Sequence, residues 1–173
     1  MRRAALLAAT ALLAACSTAP QAPGQQPWTT GRLSLKVEAH GASAGQNLSA
    51  SFELRGSGER GEMRLLSPLG LQLAHARWGP GQASLDTSEG QQQFSSLDEL
   101  AQRALGEALP LAAWPDWLAG RPWSAAQHEV QPGGFAQLGW LVDVSRRDQG
   151  WVEARRSKPP AVQLRVRLDG AEQ

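Results

Sequence analysis

The sequence predicts a mainly β fold: one antiparallel sheet of about nine or more strands, curled on itself, with two short helices inserted late. Three observations carry this. Apolar and polar residues alternate with period two through most of the chain after Trp28. Clusters of Gly, Pro and Ser interrupt the alternation at hairpin spacing. Only residues 97–119 change to helical spacing, framed by Ser96 before and Gly120-Arg121-Pro122 after.

The first strand runs through Leu33, Leu35 and Val37, which alternate with Arg32, Ser34, Lys36 and Glu38. The second runs through Leu48, Ala50, Phe52 and Leu54, and residues 40–45 join the two as a small-residue hairpin loop. A Gly/Ser turn at 56–61 leads to a third strand at 62–66, which Pro68 and Gly70 terminate. Strands at 71–78, 83–86 and 91–94 complete a meander. Ser96-Leu97-Asp98-Glu99 then reads as a capping box, with Leu97, Leu100, Ala101, Ala104 and Leu105 on one helical face. A second short helix fits 111–119, entered at Pro110, with Leu111, Trp114, Trp117 and Leu118 as its apolar face. Strands return at 135–144, with Gly139 as a bulge or bend, at 149–155 and at 161–168. A twisted sheet of this size curls, and its dry inner face needs a lid; the two amphipathic helices supply one.

The N-terminus is of a different kind. Arg2 and Arg3 precede an Ala/Leu stretch that ends Leu13-Ala14-Ala15-Cys16, where the only cysteine of the chain stands. This order of charged, apolar and small residues is that of an export signal, and its ending resembles a bacterial lipobox. The expectation is a signal peptide at 1–15, lipidation of Cys16, and a tether through residue 27, which is rich in Pro, Gln and Ala. The globular domain is then 28–173. The apolar stretch is well short of the ~20 residues that cross a bilayer.

Composition excludes several functions. The formal net charge is +1, so no overall field favours nucleic acid. His40, His75 and His128 are dispersed without cysteine partners, so neither a metal nor another cofactor is expected. Gly41-Ala42-Ser43-Ala44-Gly45 fits the G-x-S-x-G pattern of esterases, with Asp116 and His128 downstream. That motif needs a strand before it and a helix after it, whereas here strands flank both sides, so catalysis is not expected. Arg146-Arg147 and Arg155-Arg156-Ser157-Lys158 are loop clusters that would meet solvent or an anionic surface. Ser67-Pro68-Leu69-Gly70-Leu71 is unusual, because turn tips are ordinarily polar and this one carries Leu69. Leu69 either folds back onto the core or projects as an apolar finger.

Together these pieces resemble a known family. The lipobox, the strand Gly31-Arg32-Leu33-Ser34-Leu35, the turn Ser67-Pro68-Leu69-Gly70, the stretch from Leu109-Pro110-Leu111 to Trp117-Leu118-Ala119-Gly120-Arg121-Pro122, and Phe135-Ala136-Gln137-Leu138-Gly139-Trp140-Leu141-Val142 follow the order and spacing of the LolB outer-membrane lipoprotein receptors. The chain departs from the family at Trp114, where Leu is usual, and after Leu168, where a terminal Trp-bearing strand is often present.

The resemblance implies a half-open antiparallel β-barrel of about 9–11 strands capped by short helices. It implies a monomeric receptor, anchored to the outer membrane and facing the periplasm. Such a receptor takes lipoproteins from the carrier LolA into an apolar cavity and inserts them into the inner leaflet of the outer membrane. Ser17 after Cys16 is consistent with outer-membrane sorting. Pro68, Leu69 and Gly70 would form the membrane-insertion loop. Alternation assigns the acyl-chain cavity to Leu33, Leu35, Val37, Phe52, Leu54, Met63, Leu65, Val162, Leu164 and Val166, with Trp114 and Trp117 at its mouth. The alternative is a barrel lipoprotein that binds another hydrophobic ligand or a partner protein.

Overall fold

The computed structural model describes residues 26–41, 44–106 and 109–170. The expected signal peptide, Cys16, Ser43 and most of the expected tether lie outside them.

Eleven strands form one antiparallel sheet. They are β1 (Thr29–Val37), β2 (Gln46–Gly56), β3 (Gly61–Leu66), β4 (Gln72–Gly79), β5 (Gln82–Thr87), β6 (Gly90–Phe94), β7 (His128–Gln131), β8 (Gly134–Gln137), β9 (Trp140–Asp143), β10 (Trp151–Arg156) and β11 (Val162–Leu168). Between β6 and β7 lie α1 (Leu97–Leu105) and a 3-10 turn (Leu111–Ala113) that runs into α2 (Trp114–Leu118). The spatial order is β6-β5-β4-β3-β2-β1-β11-β10-β9-β8-β7, so the first and last strands meet at the centre and the sheet does not close. The mainly β, open-barrel architecture expected from the sequence is therefore present.

The central seam is set by size. Gly31 is buried opposite Leu168. A Cβ there would stand 2.3 Å from the Arg167 carbonyl oxygen and 3.0 Å from the Phe52 ring. Only glycine lets β1, β2 and β11 approach this closely. Beyond it Leu33, Leu35 and Val37 face inward beside Val166, Leu164 and Val162. Each such side chain contributes about 1.5–3 kcal/mol on burial.

The sequence reading needs two corrections. Residues 135–144 are not one bent strand but the hairpin β8–β9. Leu138 and Gly139 both take positive φ (55° and 77°), the conformation of a tight two-residue turn. A short strand at 128–131 was also not expected. It pairs with β8 across a Pro132-Gly133 turn, and its one aliphatic residue, Val130, is 83% exposed, so it carries no burial pattern.

Outside the sheet, the Arg55 and Arg64 guanidinium groups lie 4.3 and 4.6 Å from the Trp28 ring centre. This pins the start of the domain to the outer face of β2 and β3. Glu62 accepts from Arg55 Nε at 2.6 Å and lies 2.8 Å from His75 Nε2. Burial pushes its carboxyl up, but His75 and Arg55 more than offset that, so it sits below the ordinary value of 4.5.

Candidate ligand cavity and leucine loop

The inner face of the sheet is filled unequally. On the β7–β11 side it is solid. Trp117 of α2 is 1% exposed, with its ring centre 6.0 Å from Trp140 and 6.5 Å from Phe135. Val142, Val152, Ala154, Val162, Leu164 and Val166 on this side are all buried in the core. One buried amide holds this plug. Gln137 accepts from Trp117 Nε1 at 2.8 Å and from the Trp123 amide at 2.9 Å. Its own NH2 donates to the carbonyls of Trp123 and Ala126, each at 2.8 Å. All four hydrogen-bonding positions of the side chain are thus used.

On the β1–β6 side a hollow of about 460 Å3 remains under α1. This lies within the ~300–1,000 Å3 range of small-molecule pockets. Its walls are Leu33 and Leu35 of β1, Leu48 of β2, Met63 and Leu65 of β3, and Leu73, Ala74 and Ala76 of β4, with Leu85 and Phe94 beyond. Leu100, Ala104 and Leu105 of α1 roof it, and Leu111 and Trp114 close one end. The wall is otherwise polar only at Thr87, Ser88, Glu89, Gln92 and Arg103, most of them exposed. Small residues at 74, 76 and 104 leave the space that leucines would have taken.

The capping box fixes α1 over this hollow. Ser96 Oγ accepts from the Glu99 amide at 3.1 Å. The Glu99 carboxylate accepts from the Ser95 hydroxyl at 2.6 Å and the Ser95 amide at 2.9 Å. The reciprocal bond therefore reaches Ser95 rather than Ser96, and these two bonds hold the Glu99 pKa below 4.5.

Of the residues assigned to the cavity from alternation, Leu33, Leu35, Met63, Leu65 and Trp114 line the hollow. Val37, Phe52, Leu54, Trp117, Val162, Leu164 and Val166 do not; they are buried in the packed core. Alternation finds the inward face, but it does not tell which stretch of that face a tryptophan fills. Leu48, Leu85, Phe94 and the α1 face were missed as lining, although their periodicity was visible.

The turn after β3 is built on Ser67. Its amide donates to the Leu71 carbonyl at 2.8 Å, its carbonyl accepts from the Gly70 amide at 2.9 Å, and its hydroxyl accepts from the amides of Leu69 and Leu71. Gly70 supplies the positive φ of 78°. With the backbone satisfied internally, Leu69 stands 88% exposed. Leu71 (66%) and Leu73 (45%) follow at alternate positions, and Leu73 also lines the hollow. Three exposed leucines thus run from the loop tip to the cavity wall. The sequence had singled out the first alone.

Ser43 lies outside the described residues, and Asp116 and His128 have other partners. Asp116 accepts from Arg121 at 2.7 Å, and His128 packs edge-on to Phe135. Among the described residues no group of three His, Cys, Asp or Glu could hold a metal ion, and no helix is long and apolar enough to cross a membrane.

The family model "Outer membrane lipoprotein LolB" matches residues 26–169. Proteins named outer-membrane lipoprotein LolB are similar over most of their length. That of Cupriavidus pinatubonensis is 35% identical over 97% of this chain and 86% of its own. That of Cupriavidus necator is 34% identical over 94% and 88%, and that of Bordetella petrii 31% over 86% and 82%. With its open sheet, its apolar hollow and its leucine loop, the chain belongs to the LolB family of outer-membrane lipoproteins.

Proposed function

We propose that this protein is an outer-membrane lipoprotein receptor. Held by lipid on Cys16 and facing the periplasm, it accepts lipoproteins from the periplasmic carrier LolA and passes them to the inner leaflet of the outer membrane. The observation that carries this reading is the apolar hollow beneath α1, continued outward by Leu73, Leu71 and Leu69.

The physical demand is cover. At ~0.8 kcal/mol per buried methylene, exposing one long acyl chain to water takes on the order of 10 kcal/mol. Handover is fast only if the chain stays against apolar surface throughout. The hollow supplies that surface at one end, and the leucine track extends it to a tip able to enter a bilayer. Nothing in this route requires a nucleotide. Direction comes from differences in affinity between carrier, receptor and bilayer.

The test separates the two steps. The full chain is loaded from carrier-bound lipoprotein and then offered vesicles. Leu69→Glu should leave loading intact and block delivery, because an exposed residue contributes little to folding while a charge resists entry into lipid. Failure of the unmutated chain to take up lipoprotein, or equal loss of both steps in Leu69→Glu, overturns the reading.

A further inference from the structure

The leucine loop also walls a groove behind it. Pro68 leans over the outer face of β1 and β2. With Arg32, Leu33, Ser49, Ala50 and Ser51 it walls a space of about 380 Å3. Arg32 is exposed, and none of the described carboxylates pairs with it. Its cross-strand neighbours are Ser51 on β2 and Arg167 on β11.

Arg167 does not line the groove: its guanidinium donates to the Gln149 carbonyl and lies 5.2 Å from the Trp151 ring centre, which leaves Arg32 as the groove's charge. The nearby acids have other partners. Asp169 accepts from the Thr30 hydroxyl at 2.9 Å, Glu53 from Arg64 at 3.2 Å, and Glu153 from Arg146 at 3.0 Å with Arg165 at 3.6 Å. The groove is therefore net positive, with two hydroxyls on its floor.

We propose that this groove receives the phosphate of an anionic phospholipid headgroup when Leu69 enters the hydrocarbon. The proposal rests on the insertion reading above and adds a lipid preference to it. The geometry is apt, because the headgroup layer is about 5–7 Å thick on each side of the hydrocarbon. Arg32 stands two strand spacings, about 10 Å, from Leu66 at the foot of the loop, and Pro68 of the loop shares its groove, so its long side chain sits beside the entering tip. Arg32 can offer paired N–H donors to phosphate oxygens, and Ser49 and Ser51 can add hydroxyls.

The experiment uses the full chain with Cys16→Ser and Leu71→Cys, labelled at position 71 with a polarity-sensitive fluorophore. Vesicles of phosphatidylcholine alone are compared with vesicles containing phosphatidylglycerol. One basic residue near an anionic surface is worth about fivefold in partition. Insertion should be about fivefold stronger with phosphatidylglycerol, and Arg32→Gln should remove that preference while keeping the fold. Arg77→Gln, at the far end of β4 from the loop, should leave it nearly unchanged. Equal insertion in both vesicles, or equal effects of Arg32→Gln and Arg77→Gln, overturns the headgroup site alone. No blue shift with either vesicle overturns insertion itself, and the headgroup site with it.

Discussion

Replacing Gln137 with Leu tests whether one amide holds the solid half of the sheet together. The change preserves bulk but removes four hydrogen bonds. The Trp117 indole N–H, on a side chain only 1% exposed, is then left without water or partner. A buried donor abandoned in this way costs about 1–3 kcal/mol. Trp123 and Ala126 are only half-buried, so water can replace part of what their backbone groups lose. Each of those bonds is then worth about 0.5–1.5 kcal/mol. The apolar surface that leucine adds returns a little. The expected destabilisation is about 3–5 kcal/mol, a large share of the ~5–15 kcal/mol of a typical domain.

Urea unfolding of the full chain followed by tryptophan emission measures this. The midpoint should fall while the slope stays constant. Gln137→Glu gives a second view. It keeps the acceptor for Trp117 but turns a carboxylate toward two carbonyl oxygens, which raises its folded-state pKa above the unfolded value. Its deficit relative to the unmutated chain should therefore be largest at neutral pH and shrink as the pH falls through that raised pKa. A Gln137→Leu midpoint equivalent to less than about 0.5 kcal/mol of change would refute the reasoning, since surface substitutions reach that much.

Three further outcomes follow from the two halves. Ala76→Phe puts a ring into the hollow; binding of a fluorescent fatty acid should be lost while urea stability changes by less than about 1.5 kcal/mol. Phe52→Ala should do the reverse, destabilising by about 3–5 kcal/mol and sparing probe affinity under conditions where the chain stays folded. Glu62 has its carboxyl lowered below 4.5 in the folded state, so its contribution is complete above the ordinary carboxylate range and disappears as the pH falls through the lowered value. Glu62→Gln should accordingly be less stable than the unmutated chain at pH 7 and converge with it in acid, as read from paired urea titrations.

Much of the fold was legible because its strands are half-wet. Leu33, Leu35 and Val37 alternate with charged or hydroxylated neighbours, and the same parity governs Val162, Leu164 and Val166, so both face and direction could be read. Where neither face is distinctively dry, the signal fails. The strand His128–Gln131 shows its only aliphatic side chain to solvent. The β8–β9 turn uses Leu138-Gly139 in place of the usual Asn-Gly, so it looked like a bend in a longer strand. Site residues divide in the same way. Leu69 was conspicuous as an aliphatic at a turn tip. Leu71 and Leu73 resembled ordinary strand leucines, because sequence does not reveal that the loop's own hydrogen bonds leave them uncovered. Trp117 and Trp114 lie three positions apart on one apolar face, and periodicity treats them alike. Only the reach of the Gln137 amide from β8 makes one a plug and the other a cavity wall.

That division explains how a small sheet keeps a cavity open. An apolar hollow of about 460 Å3 invites collapse, since its lining forfeits dispersion contacts on one side. Side chains close such a gap only if the backbone beneath them can move. Here β1 is held on one flank by β11, with Gly31 in backbone contact, and β11 buries Val162, Leu164 and Val166 in the same core as Trp117. The roof is held separately, by the Ser95–Ser96–Glu99 bonds at the start of α1 and by Leu97, Leu100 and Ala101, which are buried in the core. With wall and roof fixed from outside the hollow, the alanines at 74, 76 and 104 cannot be drawn together to fill it. The solid half therefore acts as the brace for the empty half, and a substitution there should reach the ligand only by loosening that brace.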